Sequence, residues 1–411
     1  MCTKMKKCPL CSNNNLISTV HRNDLIVMQN YVYRSKNEAC NAQTGKFELV
    51  ICSHCGFVHN MSFDEKLLQY DENYDNSVPS KVFEKYYEEI ATFLYDNFSL
   101  ENGTVIDIGC GKGTFLKHLC AKYPTVKGIG IDPSYETHSS LKDDKFHNID
   151  FIKDYFKAEH VKESPSLVIC RHVIEHIFNP TQFLKNIYFA LENFQDVPIF
   201  IEVPDLEWIL DENAFWDFCY EHCNYFTIKS ITYALELSGF SVGKTFKSFG
   251  EQYIWVIATN GNKQFKFDTE RYCATREAFE LVEKLKYYTK KEKNIIEKAK
   301  FSLKLVTTKQ NKTQTKIIVW GMATKGIIFV NLVDLNNNLI NYCVDINPSK
   351  QNCFVPHTGH KICPPEDLMQ ESQSDLAIII MNLNYFDEIK SYCENLHLLP
   401  VYFDAHFNKL I

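Results

Sequence analysis

The chain has 411 residues, 45% of them hydrophobic and 23% charged, enough apolar material for two to four ordinary cores. Its 44 Lys and Arg against 51 Asp and Glu leave a net charge of −7, which argues against a protein that works by wrapping nucleic acid. No run approaches the roughly 20 apolar residues of a membrane span, and Met1-Cys-Thr-Lys-Met-Lys-Lys-Cys8 leads into no apolar signal core. A cytoplasmic protein with no membrane partner is expected.

The first 62 residues show little helical periodicity and hold seven Lys/Arg against three Asp/Glu, so this end is basic within an acidic chain. They carry two matched knuckles, Cys8-Pro-Leu-Cys11 and Cys52-Ser-His-Cys55-Gly56. A tetrahedral Zn²⁺ takes four thiolates, two from each such turn, and an ion so enclosed is structural because no coordination position stays open. The competing reading is coincidental buried cysteines, and Cys2, Cys40, His54 and His59 are spare ligands. Zinc ribbons also touch nucleic acid, but no run of mixed aromatic and basic residues follows here.

Helical spacing of Phe83, Tyr86, Tyr87, Ile90 and Leu94 predicts a helix from about Val82 to Phe98. Strands and helices then alternate. Thr104–Ile108, Lys127–Ile131, Leu167–Arg171 and Pro198–Val203 read as buried strands, with helices from near Gly113 and over Pro180–Asn193. Ser241–Phe246 and Tyr253–Thr259 read as a closing antiparallel pair. This alternation predicts an α/β parallel sheet covered on both faces. From Thr269 to about Lys304 a Lys/Glu-rich helix is expected, with Phe279, Leu281, Val282, Leu285, Tyr288, Ile295 and Ile296 along one side. Thr307–Thr315 reads as a linker turn, and a second α/β unit starts at Lys316-Ile-Ile-Val-Trp-Gly321. The expected organisation is 1–70, a zinc-binding domain; 71–262, an α/β domain; 263–315, a helical connector; and 316–411, a second α/β domain.

With only 15 glycines in the chain, Asp107-Ile-Gly109-Cys-Gly111-Lys-Gly113 between a strand and a helix is informative. Glycine allows a tight turn and a close approach of ligand to backbone. Nineteen residues beyond Gly113, Asp132 ends the second strand, where a carboxylate can accept from ribose hydroxyls. The loop is not the G-x-G-x-x-G of a dinucleotide site. It resembles motif I of class I S-adenosylmethionine-dependent methyltransferases, as do Gly128-Ile-Gly-Ile-Asp132-Pro and Leu167-Val-Ile-Cys-Arg-His172-Val-Ile-Glu-His176. That resemblance implies a seven-stranded Rossmann-like sheet with its last pair antiparallel. It also implies a cofactor held at the ribose by Asp132 and bordered at its methionine end by Asp107, Gly109 and Gly111. His172 and His176 read either as capping and packing groups or, for His172 at the cofactor edge, as a cofactor contact.

Past the last parallel strand, Tyr220-Glu221-His222 and Tyr225-Phe226 offer a phenol, a carboxylate and an imidazole at the ligand edge of the sheet. A packed aromatic lid with a merely hydrogen-bonded histidine is the other reading. The Glu-His-x-x-Tyr-Phe segment, the upstream knuckles and the downstream α/β unit together resemble the three-domain nucleotide-sugar C-methyltransferases. Val344-Asp-Ile-Asn-Pro-Ser-Lys350, Pro356-His-Thr-Gly-His-Lys-Ile362 and Asn382-Leu-Asn-Tyr385 resemble that family's last domain. Its Tyr-His-Glu-His is here Cys219-Tyr220-Glu221-His222, and its tyrosine-serine segment is Tyr74-Asp-Asn-Ser77.

The resemblance implies methyl transfer from S-adenosylmethionine to carbon of a nucleoside-diphosphate ketosugar through an enolate. His222 is then the base, with Glu221 as its partner and Tyr220 or Tyr225 as donor to the enolate oxygen, while Tyr74, Ser77, Tyr225 and Lys350 bind substrate. Cys8, Cys11, Cys52 and Cys55 hold a structural zinc that takes no part. In the last domain, Trp320-Gly321-Met-Ala-Thr-Lys325-Gly326 and Asp345 mimic a nucleotide fold without the full glycine fingerprint, so no separate NAD site is expected. That domain either reaches the nucleoside diphosphate or is a scaffold. The alternative activity is an O- or N-methyltransferase of a sugar or other small molecule in polysaccharide or secondary-metabolite biosynthesis. A nucleic-acid methyltransferase would need a continuous basic channel, which the net charge disfavours.

Overall fold

Three sheets organise the chain in the computed structural model, which describes residues 7–68, 70–71, 73–135, 147–261, 274–308, 315–371 and 375–410. The central sheet has seven strands in the order Ser241–Ser248, Tyr253–Thr259, Pro198–Pro204, Leu167–Arg171, Thr104–Ile108, Lys127–Ile131, Ile149–Ile152. Its last five are parallel, and Tyr253–Thr259 runs antiparallel to both of its neighbours. This is the predicted class I methyltransferase sheet. Every residue of Thr104–Ile108 is buried, as a strand covered on both faces requires.

The helix predicted over Val82–Phe98 runs Lys81–Asn97, because the Ser80 side chain accepts the Val82 and Phe83 N–H groups and starts it one residue earlier. Phe83, Tyr86, Ile90, Ala91 and Leu94 form its buried stripe. Asn179 caps the helix Pro180–Ala190 in the same way, with Pro180 in the first turn where its missing N–H costs nothing.

The first sheet joins Leu16–Ile26, Thr44–Cys52 and Val58–Asn60 to Asn224–Tyr225, a strand from far along the chain. Val58 pairs with Tyr225 and His59 with Asn224. The third sheet is fully parallel, in the order Ile362–Cys363, Tyr342–Val344, Lys316–Trp320, Leu376–Ile380, Val401–Asp404.

The long helix spans Ala274–Thr308, so Thr307 and Thr308 extend it where a linker turn was expected. Val282, Leu285, Tyr288, Ala299 and Leu303 are buried against the first and third sheets. Phe279 is not on that face: it is 66% exposed, because at about 100° per residue it lies on the far side of Val282 from Leu285 and Tyr288. No helix among the described residues is long and apolar enough to cross a membrane.

Candidate active site

A cavity of about 390 Å³ opens between the carboxyl edges of the central and third sheets. On one side it is lined by Asp107, Gly109, Gly111 and His172, on the other by Trp320, Gly321, Thr324 and Asp345, and at its floor by Tyr74, Glu221 and His222. Both crevices of strand-loop-helix type therefore face one space, where ligands of such sheets bind.

Gly109, Gly111 and Gly113 all adopt positive φ. A Cβ on Gly109 would sit 2.3 Å from Val173, whereas one on Gly111 would meet nothing within 4 Å. The first glycine closes the turn against its neighbour, and the second leaves its backbone bare toward the cavity. Asp107 is buried at the end of its strand, and burial pushes its carboxyl up to about 7 against the pull of Arg171. Asp132 stands behind the turn and is not part of the cavity wall. Its carboxylate accepts the Gly111 N–H at 2.8 Å and the Ser134 N–H at 2.8 Å. The open backbone at Gly111, the buried acid and the cavity fit the methionine end of S-adenosylmethionine.

The Glu221 carboxylate is held from the first sheet's side: Gln29 N–H donates to Oε1 at 2.6 Å and the Tyr74 hydroxyl to Oε2 at 2.8 Å. Its hydrogen bonds go there rather than to the His222 ring, which corrects its expected pairing. The acid closer to His222 is Glu175. Ligand atoms of Glu175, His176 and His222 lie within 4.8 Å of one another, and the His176 and His222 ring centroids are 4.8 Å apart. Burial and the neighbouring His176 lower the His222 pKa to about 3, so the resting ring is neutral, with its basicity held down until a negative group such as Glu175 offsets the imidazolium charge.

Two expected site residues point away from the cavity. Tyr220 is fully buried; its hydroxyl accepts the Asp64 N–H at 3.0 Å, and its ring packs where a Cβ on Gly45 would come within 2.5 Å. Tyr225 is turned into the core by its strand pairing with Val58. Its hydroxyl accepts the Cys219 N–H and donates to the Cys219 carbonyl, both at 3.0 Å. Neither phenol can donate to a substrate in the cavity; of the phenols that line it, Tyr74 is the one hydrogen-bonded to Glu221.

Ser77 lines the cavity and is tied to the third sheet's side by Asn347, whose amide donates to its carbonyl at 3.2 Å. Asp75, two residues earlier, joins three parts of the chain, bonding to Ser77, to Lys112 of the glycine loop at 3.0 Å and to Ser349. Lys350 is buried, donates to Asn30 Oδ1 at 3.1 Å and to the Met322 carbonyl at 3.2 Å, and has its pKa lowered by burial.

The four knuckle cysteines converge. Cys8 and Cys55 sulfurs are 3.6 Å apart, as are Cys11 and Cys52, and all four lie within 4.8 Å of one another. A tetrahedral ion with metal–sulfur bonds of about 2.3 Å spaces its sulfurs about 3.8 Å apart, so the residues present fit zinc. The spare ligands stand apart from this group: His59 is a buried neutral ring stacked on Phe57, Cys40 is exposed, and Cys2 lies outside the described residues.

Residues 80–244 match the model of a methyltransferase domain, and residues 252–397 that of a C-methyltransferase C-terminal domain. The chain carries an S-adenosylmethionine-dependent methyltransferase domain. No protein of curated function matches the chain. Among solved structures, the chain is similar to human N-acetylserotonin methyltransferase in complex with S-adenosylmethionine, at 18% identity and a TM-score of 0.35 over 44% of this chain and 54% of that one. It is also similar to the N,N-8-amino-8-demethyl-D-riboflavin dimethyltransferase of Streptomyces davawensis, at 16% and 0.34 over 43% and 55%. An O-methyltransferase family protein of Burkholderia thailandensis matches at 13% and 0.32 over 43% and 58%. The chain thus spans little more than half the length of each of these three chains.

Sequence reasoning gave Glu175, Arg171, Asp217 and Lys325 no role in the site, naming Arg171 and Lys325 only as members of a strand and a loop. The signal available for Glu175 was its place beside His176 just past a strand end. Asp217 and Lys325 lie 108 residues apart, and only the fold brings them to 2.5 Å in the cavity wall.

Proposed function

We propose that the protein is an S-adenosylmethionine-dependent C-methyltransferase acting on a nucleoside-diphosphate ketosugar, with a zinc ion at Cys8, Cys11, Cys52 and Cys55 as a structural staple. The observation that carries this reading is the placement of His222 in one cavity with the glycine loop and the second α/β crevice. S-Adenosylmethionine supplies an electrophilic methyl group. The remaining work falls to the chain.

His222 takes the proton from the carbon beside the sugar ketone, and the electron pair moves onto the carbonyl oxygen as an enolate. The Tyr74 hydroxyl, which donates to Glu221 at rest, turns its proton to that oxygen when the enolate forms, in place of the buried Tyr220 and Tyr225. The carbanion then forms its bond to the methyl group as the sulfur–methyl bond breaks. Holding both partners in one closed cavity supplies the approach geometry.

Support for a nucleoside diphosphate comes from the cations that line the cavity, Lys325 and Lys350 on the side of the open backbone of Gly321 and Lys112 and Arg171 on the side of the glycine loop. The C-methyltransferase C-terminal domain supports carbon as the acceptor.

The test is transfer of a ¹³C-methyl group from S-adenosylmethionine to a nucleoside-diphosphate 4-keto-6-deoxyhexose, with the product read by NMR. A methyl carbon coupled to a ring carbon is expected. A methyl on oxygen or nitrogen would replace this reading with the O- or N-methyltransferase one.

A further inference from the structure

Among the buried polar groups of the described residues, Glu175 stands out. It is 1% exposed, and neither carboxylate oxygen has a hydrogen-bond partner. Its ion-pair contact is His172 at 3.5 Å; a buried carboxylate so sparsely paired is costly, and such a group persists where a further partner arrives in the working state.

Its surroundings form a row of alternating charge. Arg171 Nε donates to Glu202 Oε2 at 2.6 Å, and Glu202 Oε2 lies 3.3 Å from His172 Nε2. His172 Nδ1 lies 3.5 Å from Glu175 Oε1, and beyond Glu175 come His176 and His222. His172 takes a positive φ of 53°, a conformation uncommon outside glycine, and its ring spans the two acids. Burial works against charging the His172 ring, but Glu202 and Glu175 outweigh it and raise its pKa to about 9. The resting row therefore reads plus, minus, plus, minus, and ends at a neutral imidazole. The other charged and titratable groups around it are Tyr86 on Glu202, Tyr253 against His172, Cys223 on the Glu175 carbonyl, and Lys325 toward His222.

We propose that Glu175 is the positioning residue that receives the imidazolium formed when His222 takes the substrate proton. This rests on the base role given to His222 above. Moving a proton from the carbon acid to His222 leaves an enolate on the substrate and a fifth, positive member at the end of the row. The Glu175 carboxylate then has two cationic neighbours, His172 and His222, where at rest it has His172 alone. Glu221, anchored by Gln29, holds Tyr74, whose hydroxyl serves the oxygen of the enolate.

The test compares Glu175→Gln, Glu175→Asp and wild type in two readouts. In ligand-free protein, histidine-labelled NMR should find His172 titrating near 9 in wild type and lower in Glu175→Gln, with partial recovery in Glu175→Asp. In deuterated buffer with a nucleoside-diphosphate 4-keto-6-deoxyhexose, Glu175→Gln should slow deuterium entry at the accepting carbon ~100-fold and should leave S-adenosylmethionine affinity unchanged. In a His222→Asn background, Glu175→Gln should add little further loss. An unmoved His172 titration, or full exchange in Glu175→Gln, overturns the proposal. If wild type exchanges no ketosugar while the His172 titration moves as expected, the substrate reading fails and the charge row stands.

Discussion

The backbone N–H of Gln29 donates to Glu221 Oε1 at 2.6 Å, across 192 residues of chain. The first sheet therefore helps to build the cavity floor. Arg22 reinforces this by donating to the Phe218 and Phe215 carbonyls at 2.7 and 2.8 Å, on the segment that leads to His222.

Loss of metal from the knuckles should consequently reach the active site. Chelation, or Cys52→Ser, is expected to lower kcat at least ~10-fold while S-adenosylmethionine affinity changes less than ~2-fold, since a structural ion acts through folding. Metal analysis, calorimetry and turnover on the same samples check this. One zinc per chain is the expected stoichiometry.

Tyr220→Phe should behave as a core change. It removes one hydrogen bond to the Asp64 N–H, worth ~1 kcal/mol of stability, and should leave kcat within ~2-fold. Tyr74→Phe and Glu221→Gln should do the opposite, cutting kcat ~100-fold with small changes in melting temperature. Thermal unfolding beside turnover separates the two classes.

The glycine loop offers a similar contrast. Gly109→Ala puts a Cβ into Val173 at a positive φ and should destabilise the fold. Gly111→Val meets open space, so the fold should survive with the ~1 kcal/mol cost of a left-handed side chain. Its side chain projects toward the cavity, and the dissociation constant for S-adenosylmethionine should rise at least ~10-fold.

Asp107 gives a pH signature. Its folded pKa of about 7 lies above the unfolded value of 3.8, so the folded state holds the extra proton between those limits. Stability of the ligand-free protein should fall as pH rises through that window, by on the order of 4 kcal/mol at most. Asp107→Asn should match wild type in melting temperature near pH 4 and exceed it at pH 8. Wild-type affinity for the cationic end of S-adenosylmethionine should strengthen as pH rises through about 7, and the variant should not show that rise.

The central sheet was legible because its strands are apolar runs bounded by Gly, Pro and Asp, and its helices carry their caps at Ser80 and Asn179. The orientation of side chains after Pro204 was not. Tyr220 and Tyr225 read as site residues because they flank Glu221 and His222, yet their direction is set by Gly45 and by Val58, both contributed by the first sheet. Glu175 was hidden for a related reason. Its importance lies in donors it lacks, and a missing hydrogen bond leaves no mark on a sequence.

The most direct measurement is solvent deuterium entry at the accepting carbon of the ketosugar, run with the cofactor analogue S-adenosylhomocysteine so that no methyl can transfer. The account predicts exchange in wild type and its loss in His222→Asn, with the analogue bound equally by both. Exchange that persists in His222→Asn would contradict His222 as the base, and methylation without any exchange-competent carbon would contradict the enolate route.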